Sequence, residues 1–351
     1  MTATEGAIRT ARITDRPALA ELSRQVHLSD DSYRRSLGVP APSATLPRIS
    51  LSALIPSWLP LRQASLHLVA ESDGELVGSC RAIEEPRRED WAIIELDAAD
   101  GPMAAEVRHA LLRALIDEGE SRSVARFHAA CSDVRENLEL FGQLGFMAYA
   151  QEEIVYRPPQ QTSGPRSWLR GVLARDGRGR KDARREPRVP LQHAGAPDAW
   201  HLFDLWAHAT PPAIARIEDY TADDWEAAGH EAVVPRSSLN PLLHFSSVDA
   251  WFLPHEQRAG GFAQHGSCRE GPHYLRFLVR EGTDGAAFLD AVLEAMGSDA
   301  LGAGILSPVR TYESAGMRTA TVTGFEPIGR VTLLVRDVRA RVRQPALVPA
   351  I

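Results

Sequence analysis

Apolar and polar positions alternate over residues 65–71 and 75–83, on either side of the turn Ser72-Asp73-Gly74, and Trp91–Asp97 reads as another strand. A period of two predicts strands with one buried face. Residues 7–12, 126–131 and 147–156 read as further strands. The spacing changes to that of a helix from Met103 to Glu118, where Val107, Leu111, Leu112 and Leu115 share a face, and from Arg135 to Gln143. Asp15-Arg16-Pro17 opens an earlier helix with Ala18, Leu19 and Leu22 on its inner side, since proline suits a first helical turn. Gly145 is a fitting C-terminal cap for the 135–143 helix. Residues 31–62 are rich in Pro and Ser but carry Leu51, Leu54, Ile55, Trp58 and Leu59, so they predict a loop with one short amphipathic helix. The expected order for the first half is β-α-(α)-β-β-β-α-β-α-β.

The second half repeats this plan. Arg12–Ala18 recurs loosely as Gln192–Asp198, the hairpin at Gly78 as that at Gly261, Asp100-Gly101 as Asp284-Gly285, and Gly145-Phe146 as Gly324-Phe325. Any one pair is weak evidence. Four in the same order, with partner separations drifting by only a few residues, predict a duplicated unit over 8–156 and 189–336.

Composition narrows the chemistry. With 351 residues, 44% of them hydrophobic, the chain suffices for about two domains with their own cores. No apolar run approaches the ~20 residues of a membrane span, and the first residues lack the basic segment and apolar core of a signal peptide, which makes the cytoplasm the expected location. Cys80, Cys131 and Cys268 form no Cys-x-x-Cys pair and are expected to be reduced thiols. Lys181 is the single lysine, so there is no P-loop, and a Schiff-base mechanism has only that residue to use. The stretch 157–188 holds ten basic and three acidic residues among Pro and Gly, and reads as a basic linker. The remaining chain is acidic, which counts against nucleic acid as a partner.

With these elements in order, the chain resembles the GNAT superfamily of N-acetyltransferases. Ile8–Leu22 resembles that family's opening strand and helix, Asp73–Gly78 its central hairpin, and Leu138–Phe146 its late helix ending in Gly-Phe. The second half is similar, more faintly, through Gly260-Gly261-Phe262, the helix Ala286–Met296 and Gly324–Pro327. The resemblance implies an α/β (α+β) fold of two tandem domains, each a mixed, mostly antiparallel sheet flanked by helices. The expected parts are a domain at 1–157, the linker at 158–187, a domain at 188–339 and a tail at 340–351.

It also implies acyl transfer from acetyl-CoA to a small-molecule or peptide amine, with no metal. Family members seat the pyrophosphate at a helix N-terminus, in an Arg/Gln-x-x-Gly-x-Gly/Ala loop whose free N–H groups meet the anion. The first half offers only Asp97–Pro102 there. The second offers Arg280, Gly282, Thr283, Gly285 and Ala286, which makes it the expected donor site. Asp100 and Asp284 are expected to cap their helices and so compete for those donors. A tyrosine acid four residues before Gly-Phe is absent, since Phe141 and Ala320 stand there. Tyr312 is the remaining candidate acid. Glu95 is the candidate general base on the fourth strand, and counting along the chain matches it to Val279. His128 reads as a strand residue with a hydrogen-bond partner. His201, Asp204 and His208 share a helical face but lack a third strong ligand. Two other readings stay open. One is a tandem pair that binds a ligand or protein without catalysis; the other is a transferase using aminoacyl-tRNA through the basic linker.

Overall fold

A computed structural model describes residues 7–27, 35, 37, 65–85, 89–159, 189–226, 234–239, 245–256, 258–269 and 271–338. The expected short helix in 31–62, nearly all of the basic linker and the tail lie outside these residues. The chain divides into two compact units.

The first unit contains β1 (Ala7–Thr10), α1 (Arg16–His27), β2 (Ser65–Ser72), β3 (Glu75–Glu84), β4 (Asp90–Ala98), α2 (Ala104–Ser121), β5 (Arg126–Ser132) and α3 (Arg135–Gln143). Its sheet runs β1-β2-β3-β4-β5, antiparallel except for the parallel β4–β5 pair. Residues 333–337, the end of the last strand β12 (Glu326–Asp337), also belong to this unit. One face of the sheet carries Leu66, Leu68, Cys80, Ile93 and Leu96 against Leu111, Leu112 and Leu115 of α2 and Phe141 of α3. The other face meets α1, with Leu19 on Val69.

The second unit takes residues 149–157 of β6 (Met147–Arg157), then β7 (Gln192–His193), α4 (Ala199–Ala209), α5 (Pro212–Glu218), β8 (Phe245–His255), β9 (Arg258–Cys268), β10 (His273–Val279), α6 (Gly285–Ala303), β11 (Ile305–Arg310), α7 (Ser314–Val322) and the first part of β12. Its order from β7 is β7-β8-β9-β10-β11-β6, with β10–β11 parallel and the other recorded pairs antiparallel. Helix α6 breaks at Gly297, whose φ is +86°. Among the described residues no helix is long and apolar enough to cross a membrane.

The duplication is visible in local physics. Asp15 accepts the amide of Arg12 at 2.7 Å, and Asp198 accepts that of Gly195 at 2.9 Å, each closing a 3-10 turn ahead of α1 or α4. A Cβ at Gly78 would lie 2.5 Å from Val107, and one at Gly261 2.9 Å from Phe288, so only glycine lets α2 and α6 press onto their sheets. Gly145 and Gly324 have φ of +81° and +84°. Behind each, a phenylalanine amide reaches back five residues, Phe146 to Phe141 and Phe325 to Ala320, both at 3.0 Å. This is the Schellman cap.

One expected cap is corrected. Helix α2 begins after Met103 and has no side-chain cap. Gly101, Pro102 and Met103 separate Asp100 from the helix, while a capping side chain reaches only two or three residues onward. Asp284 does cap α6, accepting the amide of Ala287 at 3.0 Å.

Candidate functional site

The site grows from one irregularity in β4. Arg81 pairs with Glu95, but the next residue, Ala82, pairs with Ile93, so Ile94 is an extra residue on β4. Without that bulge Glu95 would share the parity of Trp91 and Ile93, which lie in the α2-side core. The bulge turns Glu95 to the α1 side, beside residues 67 and 69 of β2 and 79 and 81 of β3. Bulges commonly re-aim a side chain next to a functional site.

Three polar groups meet there. Ser79 Oγ donates a short hydrogen bond to Glu95 Oε1. His67 Nε2 is 2.9 Å from Ser79 Oγ and 3.6 Å from Glu95 Oε1. His67 and Ser79 are only 4% and 1% exposed, while the Glu95 side chain keeps 19%. The serine has one proton, and it lies toward the carboxylate; Nε2 therefore carries hydrogen in this arrangement. His67 Nδ1 is buried and finds no hydrogen-bond partner among the described residues, and nor does Arg81 Nε. Burial alone would raise the Glu95 carboxyl. The hydrogen bond and charge of His67, the charge of Arg81 and the Ser79 hydroxyl outweigh it and hold the group at about 2. Glu95 is thus a carboxylate at neutral pH.

Glu95 also lies where the sheet opens. The parallel pairing of β4 with β5 runs from Asp90↔Arg126 to Ile93↔Ala129 and stops, so Glu95 lies beyond the last rung. Helix α2 starts on from this open end, with exposed Ala105 and Glu106 in its uncapped first turn. Arg108, one turn in, is 8% exposed; Nη1 donates to the Arg35 carbonyl at 3.3 Å, and Nε has no hydrogen-bond partner among the described residues. Burial, and then the charge of Arg35, lower its pKa. A guanidinium at an uncapped helix start suits an anion, against the charges of Glu136 and Asp100, which also act on Arg108.

The second unit fills the corresponding places. Counting inward from Gly78↔Ala98 and from Gly261↔Val279, the partner of Glu95 is Arg276, not Val279. The same count sets Gln264 at the place of Arg81 and Phe262 at that of Ser79, and the β8–β9 register sets Ala250 at that of His67. Phe262 and Ala250 join Leu202, Leu205, Trp206 and Trp225 in an apolar cluster. The β10–β11 pairing stops after Tyr274↔Leu306, but side chains bridge the gap beyond. Arg276 Nη1 donates to the Phe277 carbonyl at 2.7 Å and to Glu313 Oε2 at 2.9 Å, and Nη2 donates to Oε1 at 2.5 Å. Glu313 Oε2 also accepts the Arg310 amide at 3.1 Å. Arg310 in turn meets Glu218 at 2.6 Å and Glu152 at 3.2 Å.

The Arg280–Ala286 turn is likewise engaged. Arg280 donates to Asp204 at 2.7 Å and to the Ala259 carbonyl at 3.0 Å. The Gly285 amide bonds the Thr283 carbonyl at 2.8 Å, and a Cβ there would sit 2.0 Å from Thr319 Oγ1. Gly282 has φ +87° and Ala286 starts the helix. Tyr312 follows β11, half-buried; burial pushes its phenol above the ordinary range, so it stays protonated at neutral pH. The structure therefore gathers Arg280, Gly282, Thr283, Gly285 and Ala286 in one turn of the second unit, while Glu95 lies in the first. His67, Ser79 and Arg108 were missed by sequence reading. The available signal was polar residues at alternate positions of three successive apolar strands.

His128 Nε2 lies 3.3 Å from Asp90 Oδ2, both buried. No three His, Cys, Asp or Glu side chains among the described residues are grouped to hold a metal.

No family model and no curated protein sequence matches the chain. Solved structures do. A tandem GNAT protein of the clavulanic acid biosynthesis pathway, solved without acetyl-CoA, is 12% identical, with a TM-score of 0.53 over 95% of this chain and 99% of that one. A GCN5-related N-acetyltransferase from Sphaerobacter thermophilus is 13% identical, with a TM-score of 0.51 over 97% of this chain and 98% of that one. The chain has the tandem GNAT fold.

Proposed function

We propose that the protein transfers an acetyl or related acyl group from acyl-CoA to a primary amine, on a small molecule or a peptide, in its first unit. The observation that carries this reading is the Ile94 bulge, which brings the Glu95 carboxylate to Ser79 and His67 at the open end of the β4–β5 pair. Glu95 attracts the acceptor ammonium and takes its first proton, the free amine attacks the thioester carbon, and the second proton on nitrogen leaves to water. The carbon–nitrogen bond forms, the carbon–sulfur bond breaks, and the thiolate leaves. Phe141 is fully buried in the core, so no phenol stands at the family's acid position and solvent protonates the thiolate.

The donor's pyrophosphate would meet the uncapped start of α2 beside Arg108, with the charge of Arg35 shared with Glu136 at 3.9 Å. The sequence favoured the Arg280–Ala286 turn, but there Asp284 caps the helix and Asp204 holds Arg280. Acyl-CoA supplies the activated thioester; Glu95 orients and deprotonates the acceptor. The second unit, with its apolar cluster and bridged strands, serves as scaffold.

The test is calorimetric titration with acetyl-CoA. Ala105→Glu puts a carboxylate at an exposed helix start, where it favours folding and opposes an anion. It should weaken binding at least tenfold, while Ala286→Glu leaves binding unchanged. The reverse pattern would move the donor to the second unit. No heat with wild type at millimolar acetyl-CoA would end the reading.

A further inference from the structure

We infer that His67, Ser79 and Glu95 form a proton relay, in which Glu95 touches the acceptor amine and His67 stores the proton behind it. This rests on the proposed acyl transfer and names the path its proton takes. Three observations carry it. The first is linear connectivity: His67 Nε2 is 2.9 Å from Ser79 Oγ, which bonds Glu95 Oε1. The second is the exposure gradient, with Glu95 reachable and the other two buried. The third is the buried His67 Nδ1, which has no hydrogen-bond partner among the described residues.

The chemistry closes without another reactant. An ammonium N–H bond breaks and an O–H bond forms on Glu95. In the tautomer of neutral His67 that carries its hydrogen on Nδ1, Nε2 is open, and that proton passes to Ser79 Oγ as the serine turns its own from the carboxylate to Nε2. The products are the free amine, an imidazolium and the restored carboxylate. With His67 neutral, the charge of Arg81 and the Ser79 hydroxyl still favour the Glu95 carboxylate. Other groups facing the relay are Arg81 on β3 and Asp97 on β4. From α1 the buried positions are Leu19, Leu22, Ser23 and Val26, none of which titrates. Substrates of this site are amines protonated in water, which must lose a proton before they can attack. Ser79 and His67 are positioning residues; Glu95 makes the contact.

The experiment follows release of the CoA thiol from acetyl-CoA with a panel of primary amines, among them spermidine, lysine and a short peptide with a free N-terminus. Wild type, Ser79→Ala, Ser79→Thr and His67→Gln are compared, each checked for folding by circular dichroism. The relay predicts that Ser79→Ala lowers kcat ten- to a hundredfold with KM within twofold, and shifts the acidic limb of the pH profile. Ser79→Thr, which keeps the hydroxyl, should recover most of the rate, and His67→Gln should resemble Ser79→Ala. Turnover by folded Ser79→Ala with the wild-type kcat and pH profile would overturn the relay and leave acyl transfer standing. No thiol release by wild type with any amine would overturn both.

Discussion

Replacing Glu313 with alanine tests the claim that the second unit bridges its strand gap with charge rather than leaving it open. Arg276 is fully buried and Glu313 is 7% exposed. The carboxylate accepts two bonds from Arg276, at 2.9 and 2.5 Å, and one from the Arg310 amide at 3.1 Å. Glu313→Ala removes all three and leaves a buried guanidinium without its counter-charge. Breaking a buried pair from one side costs about 3–5 kcal/mol, because the remaining charge stays desolvated. Against a typical domain stability of about 5–15 kcal/mol that is a large fraction. Replacing both partners with apolar residues of similar shape, Arg276→Met with Glu313→Leu, should cost much less, since the desolvation penalty goes too. The assay is urea unfolding followed by fluorescence, with Trp206, Trp225 and Trp251 buried in this unit as reporters. A loss under about 1 kcal/mol for Glu313→Ala, well below the buried-pair range, would refute the reasoning, as would a double variant less stable than the single one.

Two other predictions concern stability. The Glu95 carboxyl is held below its ordinary range by His67, Arg81 and Ser79 despite its burial, so its ionised form stabilises the fold. The folded-state value is lowered, so this contribution is present above pH 4.5 and lost as pH falls toward 2; Glu95→Gln should flatten that part of a stability–pH curve measured by urea unfolding. Gly285→Ala pushes a methyl against Thr319 and should cost about 1–3 kcal/mol, recovered in part by Thr319→Ala and read as a shift in thermal midpoint.

The fold was legible where a local rule operates. Alternation marked β2 and β3, the Gly-Phe pairs marked two Schellman caps, and Gly78 and Gly261 marked the same close helix approach. The site was legible only at Glu95. His67 and Ser79 are ordinary strand residues in the sequence, and become a cluster only when β2, β3 and β4 are set side by side. Counting along the chain matched Glu95 to Val279 because it aligned Asp100-Gly101 with Asp284-Gly285, yet Gly285 is the first residue of α6 while Gly101 lies three residues before α2. Asp100 looked like a cap because its Asp-Gly dipeptide copies Asp284-Gly285, yet Pro102 and Met103 delay the helix. The placement of residues 149–157 with the second unit and 333–337 with the first has no sequence signature, since strand pairing is a long-range choice.

The most direct measurement is acyl transfer itself, in wild type and in Glu95→Gln, with acetyl-CoA and primary amines. The account predicts thiol release by wild type and a fall in kcat of about a hundredfold or more in the variant, in the range for a general base, with acetyl-CoA binding retained. Equal rates in the two proteins, or transfer lost on Tyr312→Phe but not on Glu95→Gln, would contradict it.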